Sequence, residues 1–252
     1  MDWVVFRKMT SMRSLLFSCL FLTNFLFMNA QSGESPTILF PEELEREVAL
    51  SSLPEHLRDE AGVYIFKKDK GYEMIKASTN GFIALVERIP GVHDAFAPVS
   101  YDSIGQMHHV KRILKVGEWI ANGMTPKSIA QKVKEGFENG TFTPPSEFGI
   151  SYMLSPVNIL PSPPEGAPAL YYPHFMVYAP NVAPSQLGLP KFHWHSYQPS
   201  ILDKGPHGYL IVRLGDKETD EIRQNHKLLI KKVEKHLGKK LSSYEIAEHH
   251  DH

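Results

Sequence analysis

Residues 62–88, GVYIFKKDKGYEMIKASTNGFIALVER, decide the fold class. Val63-Tyr64-Ile65-Phe66, Tyr72 to Ala77 and Phe82 to Arg88 are short apolar-rich runs with β-branched and aromatic side chains, which suit a pleated, half-buried surface. The gap from Lys67 to Gly71 is a charged loop closed by glycine. The gap Ser78-Thr79-Asn80-Gly81 carries an Asn-Gly pair, whose positive φ suits a hairpin turn. The spacing predicts a three-stranded antiparallel meander. So few strands cannot bury a core alone, so the meander belongs to a larger domain.

Working outward, Ser103 and Gln106 have capping-box spacing at the head of a helix. Val110, Ile113, Leu114, Ile120 and Ala121 form its apolar stripe, and Asn122-Gly123 stops it. Thr125 caps a second helix with Pro126 at its first position, lined by Ile129, Val133 and Phe137. The two make an αα-hairpin. Asn139-Gly140-Thr141 matches a glycosylation sequon but sits where the second helix ends, and is read as a stop turn. Upstream, Glu42 to Leu50 reads as a helix, and Ser52 with Glu55 as the cap of another that Gly62 ends. Downstream, Gly149 to Leu154, His174 to Ala179 and His207 to Leu214 read as strands. The prolines from Pro156 to Pro173 read as surface connection, because proline donates to no ladder. Residues 180–206 read as a long loop, Asp220 to Leu237 as an amphipathic helix, and Ser242 with Glu245 as the cap of a short last one. The expected fold is α+β: a mostly antiparallel sheet with the αα-hairpin and the C-terminal amphipathic helix packed on it. Residues 42–240 are expected to form that single domain, preceded by a flexible lead-in at 31–41 and followed by a short helix and polar tail at 241–252.

The start of the chain has another composition. Arg7, Lys8 and Arg13 flank the uncharged run Leu15 to Met28, and Asn29-Ala30-Gln31-Ser32 follows, the layout of a secretory signal peptide over residues 1–30. Met12 serves as an alternative start. The run is shorter than the about 20 residues of a membrane span, so cleavage with no stable anchor is expected, and with it a periplasmic or extracellular location. The one cysteine, Cys19, lies in that leader, so the mature chain is expected to lack disulfides and thiol chemistry. Removing three basic residues and one acidic from 27 and 28 leaves 24 and 27. That balance excludes a nucleic-acid partner, which needs a concentrated basic face. A small molecule or an envelope partner is expected instead.

Histidine carries most of the candidate chemistry. Pro173-His174 and Pro206-His207 each open a strand, and the two imidazoles share one sheet edge if those strands run parallel. If the strands run antiparallel, the imidazoles lie at opposite ends. Glu87 and Asp102 join them as candidate catalytic carboxylates, and Arg88, Tyr101 and Asn80 as ligand-binding groups. His193-Trp194-His195 places two imidazoles on one side of an extended segment, and with His207 or Asp203 they form a candidate site for a divalent metal. The tail Glu248-His249-His250-Asp251-His252 is a looser candidate. His108-His109 falls in the first turns of a helix with His109 partly covered, and His226 reads as a core histidine. No Gly-x-Ser-x-Gly elbow, phosphate loop or His-Glu-x-x-His occurs.

Thr79-Asn80-Gly81-Phe82 through Leu85-Val86-Glu87-Arg88, then Tyr101-Asp102, Tyr152-Met153-Leu154-Ser155, His174-Phe175-Met176-Val177-Tyr178-Ala179-Pro180 and Pro206-His207-Gly208-Tyr209-Leu210-Ile211-Val212 follow in order. In these words and their spacing the chain resembles an uncharacterised family of exported bacterial proteins. The resemblance implies a leader, one α+β domain and no assigned activity. A cysteine often precedes the Tyr-Asp pair in that group, whereas Ser100 stands there in this chain. Three functions are therefore open: binding of a small ligand or partner in a His/Arg/Tyr-lined pocket, envelope hydrolysis by a His/carboxylate general base, and histidine-based metal binding.

Overall fold

The structure, a computed structural model, describes residues 37–92, 94–162, 167–189, 198–202 and 205–244. The leader, His193, His195, Asp203 and the tail from residue 245 lie outside the described residues. The described strands are β1 (Gly62–Lys67), β2 (Gly71–Lys76), β3 (Ile83–Arg88), β4 (Phe96–Tyr101), β5 (Ile150–Met153), β6 (Asn158–Ser162), β7 (Ala167–Tyr171), β8 (His174–Tyr178), β9 (Ser200–Leu202) and β10 (Tyr209–Arg213). They form one sheet in the order β2-β1-β3-β4-β5-β8-β10-β9, with a β6–β7 hairpin branching from β4. The pairing is antiparallel except between β1 and β3. The α+β class is as expected.

The meander is not. β1 and β2 form the hairpin, but β3 passes to the other edge of β1 and runs parallel to it. Gly81 has the positive φ of +82°, yet Asn80 bends its own backbone by accepting from Phe82 N and donates to Leu57 O. The turn is thus tied to the preceding helix and does not close a two-residue hairpin. Burial agrees with this order: β3 is nearly all buried, as an inner strand should be, while much of β2 is exposed at the edge.

Three further strands are absent from the sequence reading: β4, and β6 and β7 in the proline stretch read as surface connection. β4 holds Pro98, opposite Val86 of β3. On its other side β4 meets β6 only at Phe96 and β5 only at Ser100 and Tyr101, so Pro98 lies in the gap between those pairings. β6 and β7 set Pro161 opposite Pro168 in a hairpin at the margin of the sheet, where missing donors are tolerated.

Side chains alternate across the sheet and so build two cores. Val63, Ile65, Ala84, Val86 and Phe96 face α1 (Glu42–Leu50) and the last helix. Ile83, Leu85, Val99, Tyr101, Met176, Tyr178 and Ile211 face the αα-hairpin. After the single turn α2 (Glu55–Arg58), that hairpin starts at α3 (Ser103–Gly105), continues through a π-helical turn at Gln106–Val110 into α4 (Lys111–Ala121), and returns in α5 (Pro126–Glu138). Asp102, not Ser103, is the cap: its Oδ1 accepts from Gly105 N at 2.8 Å. Thr125 caps α5 as read, accepting from Ser128 N. Asn139 Oδ1 accepts from Thr141 N, closing the stop turn after α5. Ser52 caps nothing; its hydroxyl donates to Ala49 O, and α2 begins after Pro54. The C-terminal helix starts at Asp216 and breaks at His226 into α6 (Asp216–Asn225) and α7 (Lys227–Leu237), whose Leu229 and Val233 are buried. No helix among the described residues is long and apolar enough to cross a membrane.

Candidate functional site

β8 and β10 are antiparallel, with His174 opposite Arg213 and Tyr178 opposite Tyr209. His174 and His207 therefore lie at opposite ends, separated by at least the about 13 Å that four strand residues span. The shared hollow expected of a parallel pair does not form. His174 is buried with Nδ1 2.8 Å from Tyr172 O. Glu87 and Arg88 are likewise divided, since neighbours in a strand face opposite sides. Arg88 points into the α1 side, where Nη2 donates to Glu45 Oε2 at 2.6 Å, Nη1 to Val86 O and Nε to Ile38 O. Asn80 is spent on its turn. These three leave the site.

Glu87, Tyr101, Asp102 and His207 do come together, around a residue that the sequence reading placed in a helix, partly covered, without a site role. His109 sits in the π turn and is fully buried. An extra residue in a helical turn rotates the following side chains, and π turns are frequent at functional sites. This one aims the imidazole at the sheet. Its ring lies 5.5 Å from that of Tyr101, 4.7 Å from Tyr178, 4.7 Å from Tyr209 and 4.2 Å from His207. Nδ1 is 2.5 Å from the Tyr209 hydroxyl, which is 3.3 Å from that of Tyr101. Nε2 is buried and has no partner among the described residues.

Arg112, one helical turn on, links the cluster to its open side. Its Nε donates to His207 Nδ1 at 3.3 Å and its Nη2 to Glu87 Oε1 at 3.4 Å. His207 Nε2 lies 3.1 Å from Thr143 O, and Phe137 of α5 meets the His207 ring edge-on. Asp102 supports the frame. Besides capping α3, it accepts from Ile150 N at 2.8 Å and from the Tyr178 hydroxyl at 2.9 Å. Gly105 is required beside it, because a Cβ there would strike that hydroxyl.

The electrostatics keep the imidazole neutral. Burial, then His207 and Arg112, push His109 down to about 2. Burial raises Tyr101 well above the ordinary phenol value, with Tyr209 adding to it. Burial also raises Glu87, against the pull of Arg112. For Arg112, burial works against the charge, but Glu87, Tyr209 and Tyr101 together outweigh it and the guanidinium stays cationic. The cluster thus offers phenol and imidazole groups, one cation, and Glu87 as the carboxylate not already engaged as a cap. A base held at about 2 is too weak to take a proton from water near neutrality. Among the described residues no group of three or more His, Cys, Asp or Glu side chains is placed to hold a metal. His193 and His195, the core of the metal reading, fall outside them.

Asp102, a candidate catalytic carboxylate by sequence, is fully engaged as a cap and clamp. Asp102→Ala is expected to cost about 2–3 kcal/mol by urea denaturation, from a lost cap and lost bonds to a charged group. Asp102→Asn should cost roughly half of that. Equal stability of Asp102→Ala and wild type would remove this role.

No family model, curated protein or solved structure matches the chain.

Proposed function

We propose that this is an exported protein that binds a small polar molecule at the cluster around His109. The leader layout of residues 1–30 supports export. The observation that carries the binding reading is the buried, partnerless Nε2 of His109. Leaving such a nitrogen unmet costs about 1–3 kcal/mol. A leucine in its place would avoid that cost. The π turn that puts the ring there departs from ideal helix geometry as well, so stability alone does not explain the arrangement. A ligand that meets Nε2 does. Arg112 and Glu87 form the route inward, with side chains 21% and 20% exposed.

The test is His109→Leu. It gives up the bond to Tyr209 and relieves the unmet nitrogen, so its stability is expected within about 1 kcal/mol of wild type. A thermal-shift screen of amino acids, sugars and small organic acids should find compounds that stabilise wild type and lose that effect in the variant. A variant that loses more than about 3 kcal/mol, or that keeps every ligand shift, would make His109 a structural residue.

A further inference from the structure

Resting on that binding reading, we infer that the ligand carries a carboxylate, that it docks on Arg112 in place of Glu87, and that Glu87 takes up a proton from solvent as it does so. Among the described residues, β3 contributes to two arginine–carboxylate pairs, and they differ in kind. Arg88 and Glu45 are sealed at 2.6 Å, with the guanidinium also bonded to two carbonyls. Arg112 and Glu87 are at 3.4 Å, beyond the usual range of an N–H···O bond, and both are partly open to solvent. Arg112 uses only Nε and one Nη2 proton on described residues, so Nη1 and the second Nη2 proton stay available. A planar guanidinium with two free N–H groups matches a carboxylate bidentately. The tight pair is a structural tie; the loose one is a site held open by a resident carboxylate.

The proton follows from charge. A second carboxylate on Arg112 would stand beside Glu87, and two carboxylates sharing one site do not both remain ionised. The groups facing Glu87 do not provide another compensating charge. Arg112 comes from α4, Tyr72 from β2, Tyr101 from β4, Tyr209 from β10, His109 from the π turn, and His207 lies just before β10. Burial keeps the Tyr72 and Tyr101 phenols and the His109 imidazole neutral, and His207 accepts from Arg112 at Nδ1. Burial already favours the neutral form of Glu87. Once protonated, Glu87 can donate to the incoming carboxylate instead of repelling it.

The experiment titrates the full mature chain with acetate, lactate, succinate and benzoate, each beside its amide, at pH 5.5 and 8.0. At least one acid is expected to bind, at least tenfold more tightly at pH 5.5, with its amide at least tenfold weaker. Calorimetry in buffers of different ionisation enthalpy should show about one proton taken up per acid bound at pH 8.0. Glu87→Gln should lift affinity at pH 8.0 towards the pH 5.5 value, and Arg112→Gln should weaken acid binding at least tenfold at both. Acid and amide binding alike, both lost in His109→Leu, would overturn this inference and keep the binding reading. Acid binding that is flat in pH, or unchanged in Arg112→Gln, would overturn it too. If no acid binds, the inference fails, and the wider screen of sugars and amino acids decides the binding reading separately.

Discussion

Arg88→Met is expected to destabilise the protein by about 3–5 kcal/mol in urea denaturation while leaving the His109 cluster intact in the folded fraction. Arg88 and Glu45 are 2% and 1% exposed, and the carboxylate bonds to the guanidinium and to Phe66 N. Removing one member of a buried pair leaves an uncompensated charge, and that penalty exceeds what the pair itself contributes. Ile38 O and Val86 O also lose their guanidinium donors. The double variant Glu45→Gln/Arg88→Met should therefore recover at least half of the loss, since glutamine still accepts from Phe66 N and no charge is left buried. Recovery in the double variant separates a charge penalty from a packing defect. A single variant costing less than about 1 kcal/mol would contradict the burial of the pair. Arg88 is on the α1 side and Glu87 on the hairpin side, so ligand affinity should not move with it.

That division shows where sequence reasoning stopped. Glu87 reads as a catalytic carboxylate and its neighbour Arg88 as a ligand-binding group of the same site, although alternation in a strand sends neighbours to opposite faces. The partner of Glu87 is Arg112, twenty-five positions away, and nothing local indicates it. Elements with strong local signals were legible: α1 at Glu42–Leu50, α5 behind Thr125-Pro126, and the strands at β5, β8 and β10. β6 and β7 are hidden by prolines whose tolerance depends on which neighbours pair with them, a property of the sheet and not of the strand, and β4, which holds Pro98, goes unread. The relative direction of β8 and β10 was equally a matter of topology, and it decided against a common site for His174 and His207.

His109 reads from the sequence as a partly covered helix residue and nothing more, although a signal for its burial exists. His109, Ile113 and Val116 lie at i, i+4 and i+7, so an imidazole stood on the buried stripe of a helix. Such a histidine usually bonds a carbonyl of its own helix through Nδ1, as His226 does to Ile222 O, with its Nε2 also left unmet among the described residues. The π turn changes this. It takes His109 away from the backbone carbonyls of its own helix and sets it among three tyrosine rings and His207. No residue pattern read from the sequence marks that turn, and so Tyr178, Tyr209 and Arg112 went unassigned with it.

The two buried imidazoles should also make the fold sensitive to acid. Burial lowers His174 to about 4 and His109 to about 2, from an ordinary value of 6.5. The unfolded chain binds protons at both positions as the pH falls through 6.5, and the folded chain does not. Their contribution is thus complete above pH 6.5 and declines below it, by about 1.4 kcal/mol per pH unit for each histidine. His174 stops contributing to the slope near pH 4, where its folded form also protonates; His109 continues below that. Glu45 and Glu87, both raised by burial, act in the opposite sense as they protonate, which flattens the lower part of the curve. Each histidine variant is therefore compared with wild type over pH 6.5 to 5, where the carboxylate contribution is common to both. Urea denaturation across it should show stability falling by several kcal/mol in wild type. His174→Asn retains a donor for Tyr172 O and does not titrate, so its slope should be lower by about 1.4 kcal/mol per unit. His109→Leu should remove a similar amount at its own position. Parallel curves for wild type and both variants would mean that neither imidazole resists protonation in the fold, and the neutral His109 on which ligand binding depends would be lost with them.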